Sequence, residues 1–211
     1  AGLTDLRVLS GLIAENYFSG GSLNVVAAVI DSEASGQGRE LTLQLTNTTT
    51  GRAHYRCTAY MAPAAPSAVS LADIEPVEMV GSEPWSSEIY FGDVLFHGPA
   101  FRVIEEIVGV SELGIDARCW GVRAVGWPNE TWTSDPALLD GALQLALLWT
   151  ERQLGLASLP TGIGTVRLLS EPTFGQHTMS LVGRRKTKHM VVRGVDIRTA
   201  SGAVVAELEG I

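Results

Sequence analysis

One stretch of this chain leaves little choice of architecture. Between Asp135 and Gly155, the residues Leu138, Leu139, Ala142, Leu143, Leu145, Ala146, Leu147, Leu148 and Trp149 leave almost no polar face. A helix that is apolar nearly all round has to be wrapped by the rest of the fold. Asp135 is suited to the N-cap, Pro136 to the first helical position and Gly155 to the C-terminal stop, so the spacing predicts a helix over 136–154.

Most other segments read as strands. Leu41, Leu43 and Leu45 alternate with Thr42, Gln44 and Thr46, the period of a half-buried strand, and residues 54–61 alternate again. The turn composition of 47–51 joins these two runs into a hairpin. Further strands are expected at 6–13 and 23–30, near 108–125 and 164–169, over 178–194 with a break, and over 195–208 with a turn at 200–202. An Ala/Pro-rich run from 61 to 67 favours an extended connection. The expected organisation is therefore a strand-rich segment 1–62, a linker 63–84, and a segment 85–211 built around the helix. One buried helix among antiparallel strands describes an α+β hot-dog fold, a curved sheet around a central helix. A helix packed on one face of an open sheet meets the same periodicity.

Composition removes several function classes. Hydrophobic residues at 45 % can fill a sizeable core, which argues against disorder. Fifteen basic against twenty-three acidic side chains, a net charge of −8, argue against nucleic acid as a partner. No apolar run approaches the ~18 residues of a membrane helix, and no signal-peptide pattern opens the chain, so the expected setting is cytoplasmic. Cys57 and Cys119 alone make neither a disulfide framework nor a four-ligand zinc site, and no metal site is expected. The one dense basic run, Arg184 to Lys188, reads as a solvated hairpin or as a docking surface for an acidic carrier protein.

Asp140 carries the most chemical information. It stands in the first turns of the apolar helix, and Gln144, four residues on, shares its face and can hydrogen-bond it. Burial favours the neutral form of a carboxyl group, the form a general acid needs. Gly141 and Ala142 are small enough to leave room for a ligand. The plainer reading of Asp140 is an acid favoured by the helix dipole. A second feature is the run Phe96-His97-Gly98-Pro99-Ala100-Phe101, whose Gly-Pro step forces an extended or turn conformation between aromatics that could line a pocket. His97 there could donate to a substrate oxygen.

Together these residues resemble a known family. Asp140 to Gln144 resembles the Asp-x-x-x-Gln/His helix motif of polyketide synthase dehydratase domains, and 95–101 is similar to their Gly-Tyr-x-Tyr-Gly-Pro-x-Phe motif. Leu159-Pro160 with the strand after it, and the closing segment 196–206, are similar to the segments that follow the helix in the family. The resemblance implies a double hot dog in which 85–211 is the C-terminal hot dog and 1–62 an incomplete N-terminal one. It implies elimination of water from a 3-hydroxyacyl thioester carried on the phosphopantetheine of an acyl carrier protein, with no other cofactor. The implied acid is Asp140, oriented by Gln144, while His97, Gly98, Pro99 and Phe101 are implied substrate contacts. His97 falls where the family has a tyrosine, and Val94 and Leu95 replace its Gly and first Tyr. The other domains of a megasynthase and a second copy of the chain are the implied partners. A product-template or cyclase-like hot dog, or a non-catalytic scaffold, fits the same motifs.

The base is the departure. None of His54, His97, His177 and His189 begins the family's His-x-x-x-Gly-x-x-x-x-Pro pattern. His54 and His177 read as ordinary exposed residues, and the chain as given is expected to be inactive.

Overall fold

The computed structural model describes residues 1–11, 24–29, 39–61, 85, 89–90, 94–127, 132–186 and 189–211. Its elements are β1 (Gly2–Val8), β2 (Asn24–Val29), β3 (Arg39–Thr46), β4 (Ala53–Met61), β5 (Ile104–Val110) and β6 (Gly114–Trp120). Helix α1 (Pro136–Leu154) follows, then β7 (Gly162–Leu168), β8 (Gln176–Lys186), β9 (His189–Thr199) and β10 (Val204–Glu209). The chain forms two compact units, 1–68 with 161–167, and 69–160 with 168–211. The linker read at 63–84 lies outside the described residues.

In the first unit the strands run in the order β2-β3-β4-β1-β7, with antiparallel pairing. The predicted hairpin is there: Leu41, Leu43 and Leu45 stand opposite Ala59, Cys57 and Tyr55. Asn47 closes its turn by accepting the N–H groups of Thr49 and Thr50 at 2.9 Å, and Gly51 takes the left-handed φ of +71° that favours glycine. β1 stops at Val8, short of the predicted end at 13: beyond it the N–H groups of Leu9 and Ser10 both donate to His54 O, so the pairing with β4 no longer advances. β7 joins this unit although it follows the helix in sequence.

The second unit pairs its strands in the order β10-β9-β8-β6-β5. Here two boundaries differ from those expected. Gly194 pairs with Val182 inside the ladder, so the pairing of β8 with β9 runs on past it to Lys186 opposite His189. β6 ends at Trp120 rather than near 125, because the N–H of Val122 turns away to the Asp135 carboxylate, and 122–126 form a turn.

The helix has the predicted ends: Asp135 accepts Leu138 N–H at 3.0 Å, Pro136 opens the first turn, and Gly155 sits at φ +66°. Every residue from Gln144 to Thr150 is buried, so this part of the helix is enclosed on all sides, as its apolar surface requires. Trp149 is 0 % exposed; its indole N–H donates to Ser111 O at 3.0 Å, and its ring lies where a Cβ on Gly183 would stand. Since that ring is held on both sides, Gly183→Ala should lower stability by about 1–3 kcal/mol. Urea unfolding measures this; an unchanged midpoint would show that the ring can yield.

Candidate active site

Asp140 lies on the second turn of α1, and its side chain is one-third exposed. This corrects the expectation of a buried carboxyl: the enclosure of the helix is complete only over Gln144 to Thr150. Gln144, by contrast, is 0 % exposed and fully engaged. Its Nε2 donates to Asp140 Oδ2 at 2.7 Å and to the carbonyl oxygen of Phe101 at 2.8 Å, and its Oε1 accepts from the Tyr90 hydroxyl at 2.8 Å. The four-residue spacing thus makes the contact it predicted.

His97 comes to the same place from the loop before β5. Its Nε2 stands 3.7 Å from Asp140 Oδ2, within ion-pair range when the imidazole is protonated and beyond direct hydrogen-bond length. The imidazole is mostly buried, with Phe96 stacked on it at 5.0 Å, and Arg102 Nε–H donates to His97 O at 3.4 Å. Gly98 and Pro99 lead into a short 3₁₀ turn, Pro99–Phe101, closed by Phe101 N–H to Gly98 O at 2.9 Å. Both are exposed. Phe101 contributes through its main chain, the carbonyl that receives Gln144. Its ring turns to Trp127, edge-on at 5.0 Å, and the indole of Trp127 donates to Ala100 O at 2.7 Å.

Gly141 and Ala142 do not make room for a ligand. Both are buried, and a Cβ on Gly141 would meet Val103 Cγ2 at 2.6 Å and Met179 Cε at 2.9 Å. Their smallness lets α1 approach its neighbours closely. Tyr90 is the member that sequence reasoning missed. Its hydroxyl accepts Ile104 N–H at 2.7 Å while donating to Gln144, and burial above all pushes its pKa up to about 12, so it remains a donor. A tyrosine seven residues before His97 carries no local signal of this, because its partner lies on the helix.

His54 and His177 are not the exposed residues expected of them. His54 is 6 % exposed, with Nδ1 3.0 Å from the carbonyl oxygen of Gly11, to which it donates. His177 is 1 % exposed, with Nε2 2.7 Å from Thr173 Oγ1. A pocket at the start of α1, lined by Asp135, Leu138, Thr173, His177 and Val205 among others, shares no residue with the Asp140 cluster. No group of three or more His, Cys, Asp or Glu side chains placed to hold a metal occurs among the described residues. Nor is any described helix long and apolar enough to cross a membrane.

The family model for the polyketide synthase dehydratase N-terminal domain matches residues 77–211, more than half of the chain. The chain belongs to the polyketide synthase dehydratase family. The match falls on the part that the resemblance reads as the C-terminal hot dog, and it contains the whole Asp140 cluster. Among curated proteins, a subunit of the polyunsaturated fatty acid synthase of Thraustochytrium sp. (strain ATCC 26185 / S-3) is 35 % identical over 97 residues, 44 % of this chain and 3 % of that protein. The dehydratase domain from the CurJ module of curacin polyketide synthase is similar in structure, with TM-score 0.68, 16 % identity, and 99 % of this chain and 73 % of that one covered. The dehydratase domain of the polyketide PpsC from Mycobacterium tuberculosis gives 0.66, with 16 % identity over 99 % and 72 %. A trans-acyltransferase polyketide synthase enoyl-isomerase gives 0.64, with 14 % identity over 99 % and 78 %. These likenesses establish the hot-dog fold of the dehydratase family.

The histidine burial has a consequence for stability. Desolvation holds the His177 pKa below its ordinary 6.5, against the opposing pull of the Asp135 charge. Below pH 6.5 the unfolded chain therefore takes up a proton that the native chain resists, and stability is lost as pH falls. Asp116 and Asp196, whose carboxyls burial holds above their ordinary range, act in the opposite sense, so the difference between chain and variant isolates His177. His177→Gln should flatten the fall in stability between about pH 7 and about pH 5, by at most ~1.4 kcal/mol per pH unit. Equal slopes in urea unfolding would show that His177 protonates as readily in the native chain as in the unfolded one.

Proposed function

We propose that this chain carries the acid half of a dehydratase site that eliminates water from a 3-hydroxyacyl thioester. The observation that carries the reading is the Asp140 cluster: a partly exposed carboxyl held by a fully buried amide, with an imidazole 3.7 Å away. In the reaction the bond from the α-carbon to hydrogen breaks, the bond from the β-carbon to oxygen breaks, and a double bond forms between the two carbons. Asp140 delivers the proton that turns the departing hydroxyl into water. Gln144 keeps the carboxyl oriented, and His97, standing where the family has a tyrosine, hydrogen-bonds the substrate hydroxyl. Gly98, Pro99 and Phe101 shape the substrate's path beside it. The α-proton goes to a base that the motif contexts of the four histidines here do not supply.

The substrate is carried on the phosphopantetheine of an acyl carrier protein, and acid–base elimination needs no metal or nucleotide. The chain works in the cytoplasm among the other domains of a polyketide or fatty acid megasynthase, as a homodimer. Membership in the dehydratase family and the likeness to part of a polyunsaturated fatty acid synthase support this setting.

The test is Asp140→Asn in the gene product that contains this chain, assayed with a 3-hydroxyacyl carrier-protein thioester. Loss of a general acid should lower dehydration by ~10²–10⁴-fold while leaving the fold intact. Full retention of activity would remove Asp140 from the mechanism. Residues 1–211 alone should show no turnover. Turnover by them would put the base among the four histidines, with His97 the first to substitute because of its distance to Asp140.

A further inference from the structure

The Asp140 cluster has a direction that no single residue of it explains. Phe101 O can only accept, so the Gln144 atom facing it must be Nε2. Ile104 N–H can only donate, so it occupies a lone pair of the Tyr90 oxygen and leaves the hydroxyl proton for Gln144 Oε1. Both hydrogens of Nε2 are then committed, one to Phe101 O and one to Asp140 Oδ2. Hydrogen-bond polarity runs one way, from the first residue of β5 through Tyr90 and Gln144 into the carboxyl.

We propose that Tyr90 is a positioning residue for Asp140: by donating to Gln144 Oε1 it locks the amide so that Asp140 Oδ2 acts only as an acceptor and the transferable proton is carried on Oδ1. This inference rests on the reading of Asp140 as the acid. The burial of Tyr90, which keeps its hydroxyl protonated, supports the direction. Arg102 holds the tyrosine from another side, its guanidinium carbon 5.7 Å from the ring centre. Without the hydroxyl, Oε1 of the fully buried Gln144 loses its donor, and the amide keeps only its contacts through Nε2. Its hold on Asp140 Oδ2 is then looser, and the carboxyl presents either oxygen more readily.

Two measurements decide the point. The first is nuclear magnetic resonance of the full chain labelled at glutamine nitrogen. The Gln144 side-chain amide should exchange its protons with water slowly, and in Tyr90→Phe at least about ten-fold faster, as expected when one hydrogen bond of the lock is lost. Fast exchange in the unaltered chain, or equal rates in both, overturns the proposal, and the unaltered chain suffices if the variant does not fold. The second is a double-mutant cycle on the gene product that contains this chain. Tyr90→Phe should lower kcat about ten-fold with KM within about two-fold, and should have no further effect in a Gln144→Ala background, since Tyr90 acts through Gln144. Additive losses, or an unchanged kcat in Tyr90→Phe, overturn it. If Asp140→Asn keeps full activity, the acid assignment fails by itself, while the exchange measurement still decides whether Tyr90 locks the amide.

Discussion

The second unit depends on a demand placed on one amide. Gln144 stands at the point where α1 becomes completely enclosed, and a polar group closed off from water is tolerated only when its hydrogen bonds are made; each one left unmade costs about 1–3 kcal/mol. Its partners come from the residues before β5, from the 3₁₀ turn and from the helix itself. Packing the core and assembling the site are therefore a single event. The same contacts that let an amide sit inside an apolar helix environment bring His97 and Tyr90 toward Asp140.

The carboxyl gains from standing just outside that enclosure. Asp140 is exposed enough to meet a ligand, yet its Oδ2 is anchored by a group that has no exposed surface. The segment bearing His97 is built the other way round. Phe96 is 79 % exposed, and the position of the imidazole rests on the burial of Leu95, on the Pro99–Phe101 turn and on the main-chain contact from Arg102. Trp127, bonded to Ala100 O and set edge-on to both Phe101 and Trp132, braces that turn from outside. A rigid acid thus faces a histidine on a braced loop.

What the sequence disclosed is what local rules encode. The caps of α1, its apolar girth, the hairpin of β3 and β4, and the Asp140–Gln144 contact all follow from spacing within a few residues. What it hid needs partners from far along the chain. Tyr90 meets Gln144 across 54 positions, and His54 is buried by its contacts with Ser10 and Gly11, more than forty positions away. Gly141 shows a third kind of difficulty: a missing side chain can leave space for a ligand or for Val103 and Met179, and composition does not distinguish the two. The β8–β9 hairpin was displaced for a related reason, since Gly194 has a turn-forming residue type but sits in a bulged ladder that uses it as strand.

Asp135 does more than cap. Its carboxylate takes Val122 N–H from the end of β6 and Leu138 N–H from the first turn of α1, tying the rotation of the helix to the sheet beside it. At 3.6 residues per turn, one residue added between Asp135 and Asp140 would swing the carboxyl about 100° out of the cluster. The stretch from Asp135 to Asp140 therefore admits no change of length. The interval of five to the acid and nine to the amide, counted from Asp135, is the quantity on which the cluster depends.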